Sequence, residues 1–507
     1  MRKYDVIVVG TGNGGLSAAA TFAKAGKKVL VLEKHNNPGG CATSFRRGRF
    51  EFEATLHEMC RMGPEDGDVR ALLNSYALDV DWVAVDEAFR SINYDPENGF
   101  DVTMPVGVEN FIAEMDKAVP GCGDKVRQIL EMGRMYNDGV DWLAAHNNEP
   151  GPLAKVEMLA KYADLMKTVP QTTDDMLRRF ELPDKAREIF ESYWDYVSAD
   201  STRMSFAVYC YMTYVYITQK PWIARERSHE ISMAFDTAIR SMGGDIWYNT
   251  EVTKIDIKDG KARGVELSTG QYIECNNIMA NLMPHVVWGR LVDPKEVPER
   301  EKKLISARTM GQHSCTIYLG LDIPYEELGF KAYDTFVRFN GDTRKQYLSC
   351  NSLDTHKDYC VTIINEVIPD CTPKGTCMVQ FAKFYTEDPF AGVTEENYFE
   401  IKDKIAKETV EHFEKLVGID LKNHIEEIVV ATPVTWARYL GTPKGTVYGY
   451  EPSTWDGMFP RVQSGHKLDH TVEGLRFCGG HGTCMDGYSQ AYLSGNEQAR
   501  YMLEEMK

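Results

Sequence analysis

The feature that most constrains the fold is a strand, glycine turn and helix pattern at the start of the chain. Residues 4–9 ("YDVIVV") form a short apolar, β-branched run, and Gly10–Gly15 ("GTGNGG") follow it with GxGxxG spacing. An alanine-rich stretch then leads to Gly26, and residues 27–34 ("KKVLVLEK") supply a second strand. This order predicts a parallel sheet that begins with a Rossmann-type dinucleotide site.

Each residue type in this motif has a physical purpose. Gly10 permits a tight turn, Gly12 lets the backbone approach a pyrophosphate, and Gly15 lets the helix pack closely on the strand. The helix N-terminus then presents free N–H groups and a partial positive charge to the phosphates. Glu33 ends the second strand 18 residues after Gly15, where an acid binds a ribose hydroxyl and disfavours a 2′-phosphate.

A second glycine-rich segment follows the second strand directly. The Gly39-Gly40 pair precedes Cys41, Thr43 and Ser44. This segment resembles the second nucleotide-contact segment of the large flavoprotein oxidoreductases, which lies along the flavin ribityl chain and the pyrophosphate. Cys41 would then be a small residue against the cofactor. The residues alone also fit a Pro-Gly-Gly surface turn.

Length and composition bound the remaining possibilities. A chain of 507 residues is too long for one compact core. Its 57 basic and 75 acidic residues give a net charge of −18, so nucleic acid is not an expected partner. Twelve scattered cysteines without a CxxC pair indicate reduced thiols, and we expect a cytoplasmic protein. The sequence contains no uninterrupted apolar run of about 18 residues, so we expect no membrane span. Peripheral membrane contact and the oligomeric state stay open.

The middle of the chain alternates between strand-like and helical stretches. Residues 110–217 are periodic in the manner of amphipathic helices and predict a helical subdomain. The aromatic segment 205–222 is either a buried core helix or the wall of a pocket. Ser228 is the predicted N-cap of the next helix, which leads into a β-meander. Residues 301–430 then predict a second α+β region.

The segment 477–495 ("FCGGHGTCMDGYSQAYLSG") crowds two cysteines, a histidine and an aspartate among glycines. Taken alone, it suggests a metal site or a redox-active cysteine pair. Cys478 and Cys484 are spaced poorly for zinc ligands, however, so no metal is predicted. Together with the N-terminal motif, the segment predicts a strand, a glycine turn and a final helix from about Gly487, which complete the nucleotide site.

Several separated segments resemble the FAD-dependent phytoene desaturases, carotenoid isomerases and retinol saturases. The segments that carry the likeness are "VIVVGTGNGGLSAAATFAKAGKKVLVLEKHNNPGGCATSF", "FEFEATLHEM", "GGDIWYNTEVTKI", "IMANLMP", "SCTIYLGLD" and "ATPVTWARYLGTPKGTVYGYE". The likeness spans essentially the whole chain and is weakest in the helical subdomain. The chain departs from the family at "PWIARERSHE" and at "HGTCMDGYSQ", where relatives would face substrate or flavin, so a substrate cannot be carried over.

The resemblance implies an α/β fold with a Rossmann-type FAD-binding domain, a discontinuous α+β substrate domain and an inserted helical subdomain. The expected FAD-binding domain consists of residues 1–66, 225–300 and 455–507. The expected substrate domain consists of residues 67–224 and 301–454, with the helical subdomain at about 110–217.

The resemblance further implies an FAD-dependent enzyme acting on CH–CH groups. Non-covalent FAD would exchange a hydride with a C=C or C–C unit of a hydrophobic substrate: an isoprenoid or polyene, a steroid, or another lipid-like enone. Saturation, desaturation and redox isomerisation share this geometry. No second GxGxxG follows a strand, so NAD(P)H would serve only as a diffusible donor. The alternatives are a flavin amine oxidase and, from another class, a flavin-free prenyl-binding escort protein of the GDP-dissociation-inhibitor type.

The candidate site residues follow from the motifs and the resemblance. The candidate proton-transfer groups are His57, His481, Asp486 and Tyr448. The candidate cofactor-binding residues are Gly10, Gly12, Asn13, Gly14, Gly15, Glu33, Lys34, Gly39, Gly40, Cys41, Thr43, Ser44, Val252, Asn281, Gly480, Asp486, Gly487, Tyr488 and Ser489.

Overall fold

The structure is a computed structural model. It describes residues 4–55, 58–63, 67–146, 150–354, 356–456, 461, 470–481 and 486–506. Within these ranges no helix combines the length and the apolar character that a membrane crossing needs.

The strands, in chain order, are β1 (Val6–Val9), β2 (Val29–Leu32), β3 (Ser44–Arg47), β4 (Phe50–Glu53), β5 (Trp82–Ala84), β6 (Glu87–Asn93), β7 (Phe100–Pro105), β8 (Trp222–Ala224), β9 (Asp245–Trp247), β10 (Val252–Lys258), β11 (Lys261–Leu267), β12 (Tyr272–Glu274), β13 (Ile278–Ala280), β14 (His313–Leu321), β15 (Asp334–Arg338), β16 (Tyr359–Thr362), β17 (Cys377–Tyr385), β18 (Ile425–Ala431) and β19 (Leu475–Phe477).

The helices are α1 (Asn13–Lys24), α2 (Asp68–Ser75), α3 (Val108–Ala118), α4 (Gly123–Ala145), α5 (Pro152–Lys161), α6 (Ala163–Thr168), α7 (Thr173–Arg179), α8 (Asp184–Phe190), α9 (Phe206–Gln219), α10 (Arg227–Ser241), α11 (Pro284–Val286), α12 (Glu299–Ala307), α13 (Thr343–Ser349), α14 (Tyr398–Val417), α15 (Pro433–Leu440) and α16 (Tyr488–Glu505). A 3₁₀ segment covers Glu191–Val197, and a π-helical turn covers Val287–Leu291.

The first sheet is parallel throughout and has the strand order β19-β13-β1-β2-β9. Both of its faces are covered, which explains why β1 is apolar at every position. Val6 and Val8 pack with helices α1, α10 and α16, whereas Ile7 and Val9 pack with the antiparallel meander β10-β11-β12. The predicted Rossmann-type α/β fold is therefore confirmed.

The second sheet is mixed and has the strand order β18-β14-β17-β16-β15-β6-β7. Helices α3 to α9 supply most of the core on one face, where Phe89 and Phe336 contribute from the sheet. Helix α14 packs on the other face through Val410 and Phe413. The aromatic helix α9 lies in the first of these cores, so the sequence segment 205–222 is at least in part a buried core helix.

The strands of each sheet come from separated parts of the chain. The first sheet draws its strands from the segments 1–66, 225–300 and 455–507, and the second from 67–224 and 301–454. This distribution follows the division expected from the sequence, and we propose the same domain bounds.

The predicted N-cap at Ser228 is wrong by two residues and in its chemistry. Helix α10 begins at Arg227, with Glu226 in the N-cap position. Ser228 instead donates from its backbone N and its Oγ to the carboxylate of Glu53, at 2.8 Å each. Glu53 lies on strand β4, far from Ser228 in sequence. Local capping rules predict that Ser228 caps the helix, but its side chain binds Glu53 instead.

Candidate functional site

A cavity of about 410 Å³ lies between the two sheets. One wall consists of the turns that follow the carboxyl ends of β1, β2, β13 and β19, which is where ligands bind in open parallel sheets. The other wall consists of side chains from strands β14 and β17 and from helix α9. The cavity therefore joins a glycine-rich nucleotide-type turn to an aromatic and apolar interior.

The N-terminus of α1 is shaped to receive an anion. Its N-cap residue is Gly12, no side chain caps the helix, and the first turn contains no acidic residue. Asn13 Oδ1 is buried and has no hydrogen-bond partner within the described ranges. The uncapped N–H groups are donors that a bound pyrophosphate would accept from, whereas Asn13 Oδ1 is an acceptor and would need a hydroxyl or N–H of the ligand.

Three segments that are distant in sequence meet closely beneath this turn. A Cβ on Gly12 would lie 2.6 Å from Asn281 Nδ2, and a Cβ on Gly14 would lie 2.7 Å from the backbone N of Gly479. Asn281 itself donates from its backbone N to the carbonyl of Val9 at 2.9 Å. We call Gly10 to Gly14, Asn281 and Gly479 the glycine floor.

Glu33 braces the glycine turn as well as lining the cavity. Its Oε2 accepts from the backbone N and the Oγ1 of Thr11, at 2.8 and 2.7 Å, and its Oε1 accepts from the backbone N of His35 at 2.8 Å. The sequence predicted a ribose contact for this acid. A carboxylate has about four acceptor positions, so the free ones can still bind a ribose hydroxyl.

The Gly39-Gly40 pair packs against the same turn. Gly39 donates from its backbone N to the carbonyl of Thr11 at 2.9 Å, and a Cβ on Gly40 would lie 3.2 Å from the Cα of Gly12. Both glycines have positive φ, of 117° and 61°, which favours glycine at these positions. The pair is thus part of the cavity and not a free surface turn.

The start of α16 is tied to the N-terminal segments by hydrogen bonds. Tyr488 donates from its hydroxyl to the carbonyl of Cys41 at 2.8 Å, and Ser489 donates to the carbonyl of Cys60 at 2.6 Å. Tyr488 and Ser489 both line the cavity. The final helix therefore closes a site whose first residues lie more than 400 positions earlier in the chain.

The candidate proton-transfer groups differ in what they can do at neutral pH. His481 is buried in the cavity wall, where desolvation and the charges of Arg308 and Arg461 lower the pKa of its imidazole to about 3. Its ring stays uncharged and cannot donate a proton as imidazolium. Burial raises the pKa of the Asp486 carboxyl to about 7 and raises that of the Tyr448 hydroxyl further. Asp486 is therefore the one of these three that changes charge near neutrality.

Most predicted cofactor residues lie at the cavity, and a few do not. Those that line it are Gly10, Gly12, Asn13, Gly14, Glu33, Lys34, Gly39, Gly40, Cys41, Val252, Asn281, Gly480, Asp486, Gly487, Tyr488 and Ser489. Gly15 lies beneath, where a Cβ would come within 2.0 Å of the Gly10 carbonyl oxygen, which fits its predicted packing role. Thr43 and Ser44 bind Asn37 and Glu51 instead and are not among the lining residues. His57 and Cys484 lie outside the described residues.

The sequence reasoning missed residues at the apolar end of the cavity. These include Glu58, Cys60, Tyr196, Met212 and Tyr216. Met212 and Tyr216 lie on α9, so the aromatic segment forms a pocket wall as well as a core helix. The available signal for Glu58 was an acid placed in the apolar stretch directly after the Leu-His pair.

Comparisons with known proteins agree along nearly the whole chain. The family model described as an NAD(P)-binding Rossmann-like domain matches residues 8–76. The all-trans-retinol 13,14-reductase of Danio rerio is 24% identical over 88% of this chain and 78% of its own length. Prolycopene isomerase 1 of an Oncidium hybrid cultivar is 25% identical over 89% and 76%. A putrescine oxidase structure, 14% identical, superimposes with a TM-score of 0.62 over 99% of each chain, which shows a shared fold.

These findings agree with the geometry of the cavity. The matched Rossmann-like region contains the glycine turn, and the curated relatives are enzymes that align across both sheets. The chain is therefore similar, along most of its length, to retinol 13,14-reductases and prolycopene isomerases, and its fold is that of the Rossmann-like oxidoreductases.

Proposed function

We propose that the protein transfers a hydride between FAD and a C=C or C–C unit of a hydrophobic, polyene-like or enone-like substrate. The observation that carries this proposal is the cavity of about 410 Å³, which is lined by the glycine floor on one side and by aromatic and apolar side chains on the other. The names of the relatives, a retinol reductase and a prolycopene isomerase, support a substrate with conjugated double bonds.

The residues at the glycine floor would hold the cofactor. The N-terminus of α1 and Asn13 would bind the pyrophosphate, Glu33 the ribose, and the backbone at Val252 the adenine side. The Gly39-Gly40 pair would lie along the ribityl chain. When bound, FAD supplies hydride transfer at its N5 atom.

The interior wall would orient the substrate and exclude water. Tyr196, Met212 and Tyr216 contribute from the helical side, and Phe384 and Tyr448 contact each other edge-to-face with ring centroids 5.4 Å apart. Aromatic surfaces of this kind bury large apolar area with fixed geometry. Asp486, at the start of α16, would exchange the proton that accompanies the redox step.

The cofactor assignment is tested by purification and reduction. We expect a yellow protein with the visible absorbance of oxidised flavin, which dithionite bleaches under anaerobic conditions. Enone, polyene and steroid acceptors are then screened for reoxidation, and NADH and NADPH are screened as donors. A colourless protein that takes up no FAD would overturn the proposal and favour the prenyl-binding alternative.

Replacement of Asp486 by Asn should slow turnover by about tenfold or more, since a general acid or base contributes roughly 10²–10⁴-fold. FAD affinity should change by less than about threefold, because the phosphates bind elsewhere. The wild-type inflection near pH 7 in the dependence of kcat on pH should disappear from the variant. Stopped-flow rates and FAD titration measure the two effects separately, and an unchanged kcat and pH profile would remove Asp486 from the mechanism.

A further inference from the structure

Glu58 is an acidic residue of the cavity wall whose carboxyl group has no hydrogen-bond partner among the described residues. Glu58 is 7% exposed, and neither of its carboxyl oxygens has a hydrogen-bond partner among the described residues. It lines the same cavity as the glycine floor. Leaving a buried polar group unpaired costs free energy, because the group loses its hydrogen bonds to water. A ligand in the cavity that completes its hydrogen bonds would recover that free energy.

The surroundings of Glu58 favour the uncharged form of its carboxyl. Burial and the neighbouring acids Asp334 and Glu87 raise its pKa well above the usual range. A protonated carboxyl has one O–H donor and still accepts through its other oxygen. Glu58 can therefore form a reciprocal pair of hydrogen bonds with a neutral partner.

Two tyrosine hydroxyls that interact electrostatically with Glu58, those of Tyr193 and Tyr196, are engaged elsewhere. Tyr196 donates to Asp334 Oδ2 at 2.6 Å, and Tyr193 donates to the carbonyl of Ala88 at 2.6 Å. Their hydroxyl hydrogens are therefore directed to acceptors other than Glu58. These two hydroxyls therefore leave the hydrogen-bonding positions of the Glu58 carboxyl unoccupied.

The backbone on the C-terminal side of Glu58 is fixed. Met59 pairs with Trp222 through two backbone hydrogen bonds, at 2.8 and 3.0 Å. The carbonyl of Cys60 accepts from Ser489 at 2.6 Å. A carboxyl on so well anchored a segment has a defined position relative to the start of α16, as a recognition group requires.

We propose that Glu58 binds the polar end of the substrate, and that the substrate is an oxygenated apolar molecule, bearing a hydroxyl or carbonyl group, in preference to a pure hydrocarbon. This inference rests on the proposed function only in placing the substrate in this cavity. An alcohol satisfies both oxygens of a neutral carboxyl, whereas a hydrocarbon leaves them unpaired. Sites that hydrogen-bond a substrate hydroxyl reject analogues that lack it.

The test compares farnesol with farnesene, two probes that share a carbon skeleton; farnesene lacks the hydroxyl and has one more C=C bond. Affinities are obtained from the ligand-dependent rise in Tm of the purified protein. For the wild type we expect farnesol to bind at least about tenfold more tightly, a difference of about 1.4 kcal/mol. Glu58→Gln should keep the preference, because an amide also donates and accepts. Glu58→Met, of similar volume and apolar, should bind both probes with nearly equal affinity.

Three results would overturn the inference: equal affinities for farnesol and farnesene in the wild type, an undiminished preference in Glu58→Met, or tighter binding of farnesylamine than of farnesol. The last result would indicate an ionised carboxylate that binds a cation. If Glu58→Met fails to fold, the wild-type comparison of the probes decides alone. The readout needs no flavin, so absorbance of the same sample tests the proposed function independently.

Discussion

Replacement of Gly12 by Val should abolish retention of FAD while the protein still folds. A Cβ at this position would lie 2.6 Å from Asn281 Nδ2, which is the movable end of a side chain, and the backbone φ of −65° is open to any residue. The fold can therefore adjust. The two further methyl groups of Val would enter the space that the pyrophosphate needs at the N-terminus of α1. We expect FAD affinity to fall by at least about 100-fold, or about 2.8 kcal/mol.

The matched control is Gly392→Val. Gly392 is exposed, has no positive φ, and a Cβ there would meet nothing within 4 Å. This variant introduces the same side chain without touching the cavity, so its flavin content and Tm should equal those of the wild type. The flavin-to-protein absorbance ratio after gel filtration measures retention, and circular dichroism confirms folding. A fully yellow, active Gly12→Val protein would refute the nucleotide assignment.

The sequence predicted the first unit of the fold because that unit is local. The apolar run of β1, the glycine turn and the alanine-rich α1 are consecutive, and their periodicities differ clearly. The sequence also predicted that the C-terminal segment completes the site, since it repeats the order of strand, glycine turn and helix. These predictions needed only the period of the pattern and the special backbone freedom of glycine.

The remaining details of the site depend on contacts between distant residues. No local pattern indicates that the Asn281 side chain contacts Gly12, or that Glu53 takes the backbone N–H of Ser228. Burial also decides the chemistry, and it cannot be read from spacing. The sequence offers His481 as a proton donor, but burial and the nearby charges of Arg308 and Arg461 lower the pKa of its imidazole to about 3. The sequence around Glu58 does not indicate that its carboxyl is buried without hydrogen-bond partners among the described residues.

The contact between helices α1 and α16 should be sensitive to any side chain at Gly495. Helix α16 packs against α1, and Gly495 lies directly against the first turn of α1. A Cβ there would lie 2.1 Å from the Gly14 carbonyl oxygen and 2.9 Å from the Gly14 carbonyl carbon. These are backbone atoms of the glycine turn, so they cannot move aside as a side chain would.

Hydrogen bonds hold the helix pair at this distance. Ser17 donates from its Oγ to the carbonyl of Tyr492 at 2.7 Å, and Asn496 donates to Thr21 Oγ1 at 3.1 Å. A larger residue at position 495 must break these bonds or displace α1 from the sheet. Each outcome separates the C-terminal helix from the glycine turn.

Replacement of Gly495 by Val should therefore lower the free energy of unfolding by at least about 3 kcal/mol, at the upper end for overpacked cores. Gly495→Ala should have the same direction and a smaller size. Both variants should lose flavin in parallel with stability, whereas Gly12→Val loses flavin alone.

Glu504→Val, on the exposed side of α16, is the matched control and should change stability by less than about 0.5 kcal/mol. Urea unfolding followed by tryptophan fluorescence gives the comparison. If Gly495→Val unfolds at the wild-type urea concentration, the two helices do not pack as closely as described, and the C-terminal segment does not complete the nucleotide site in this way.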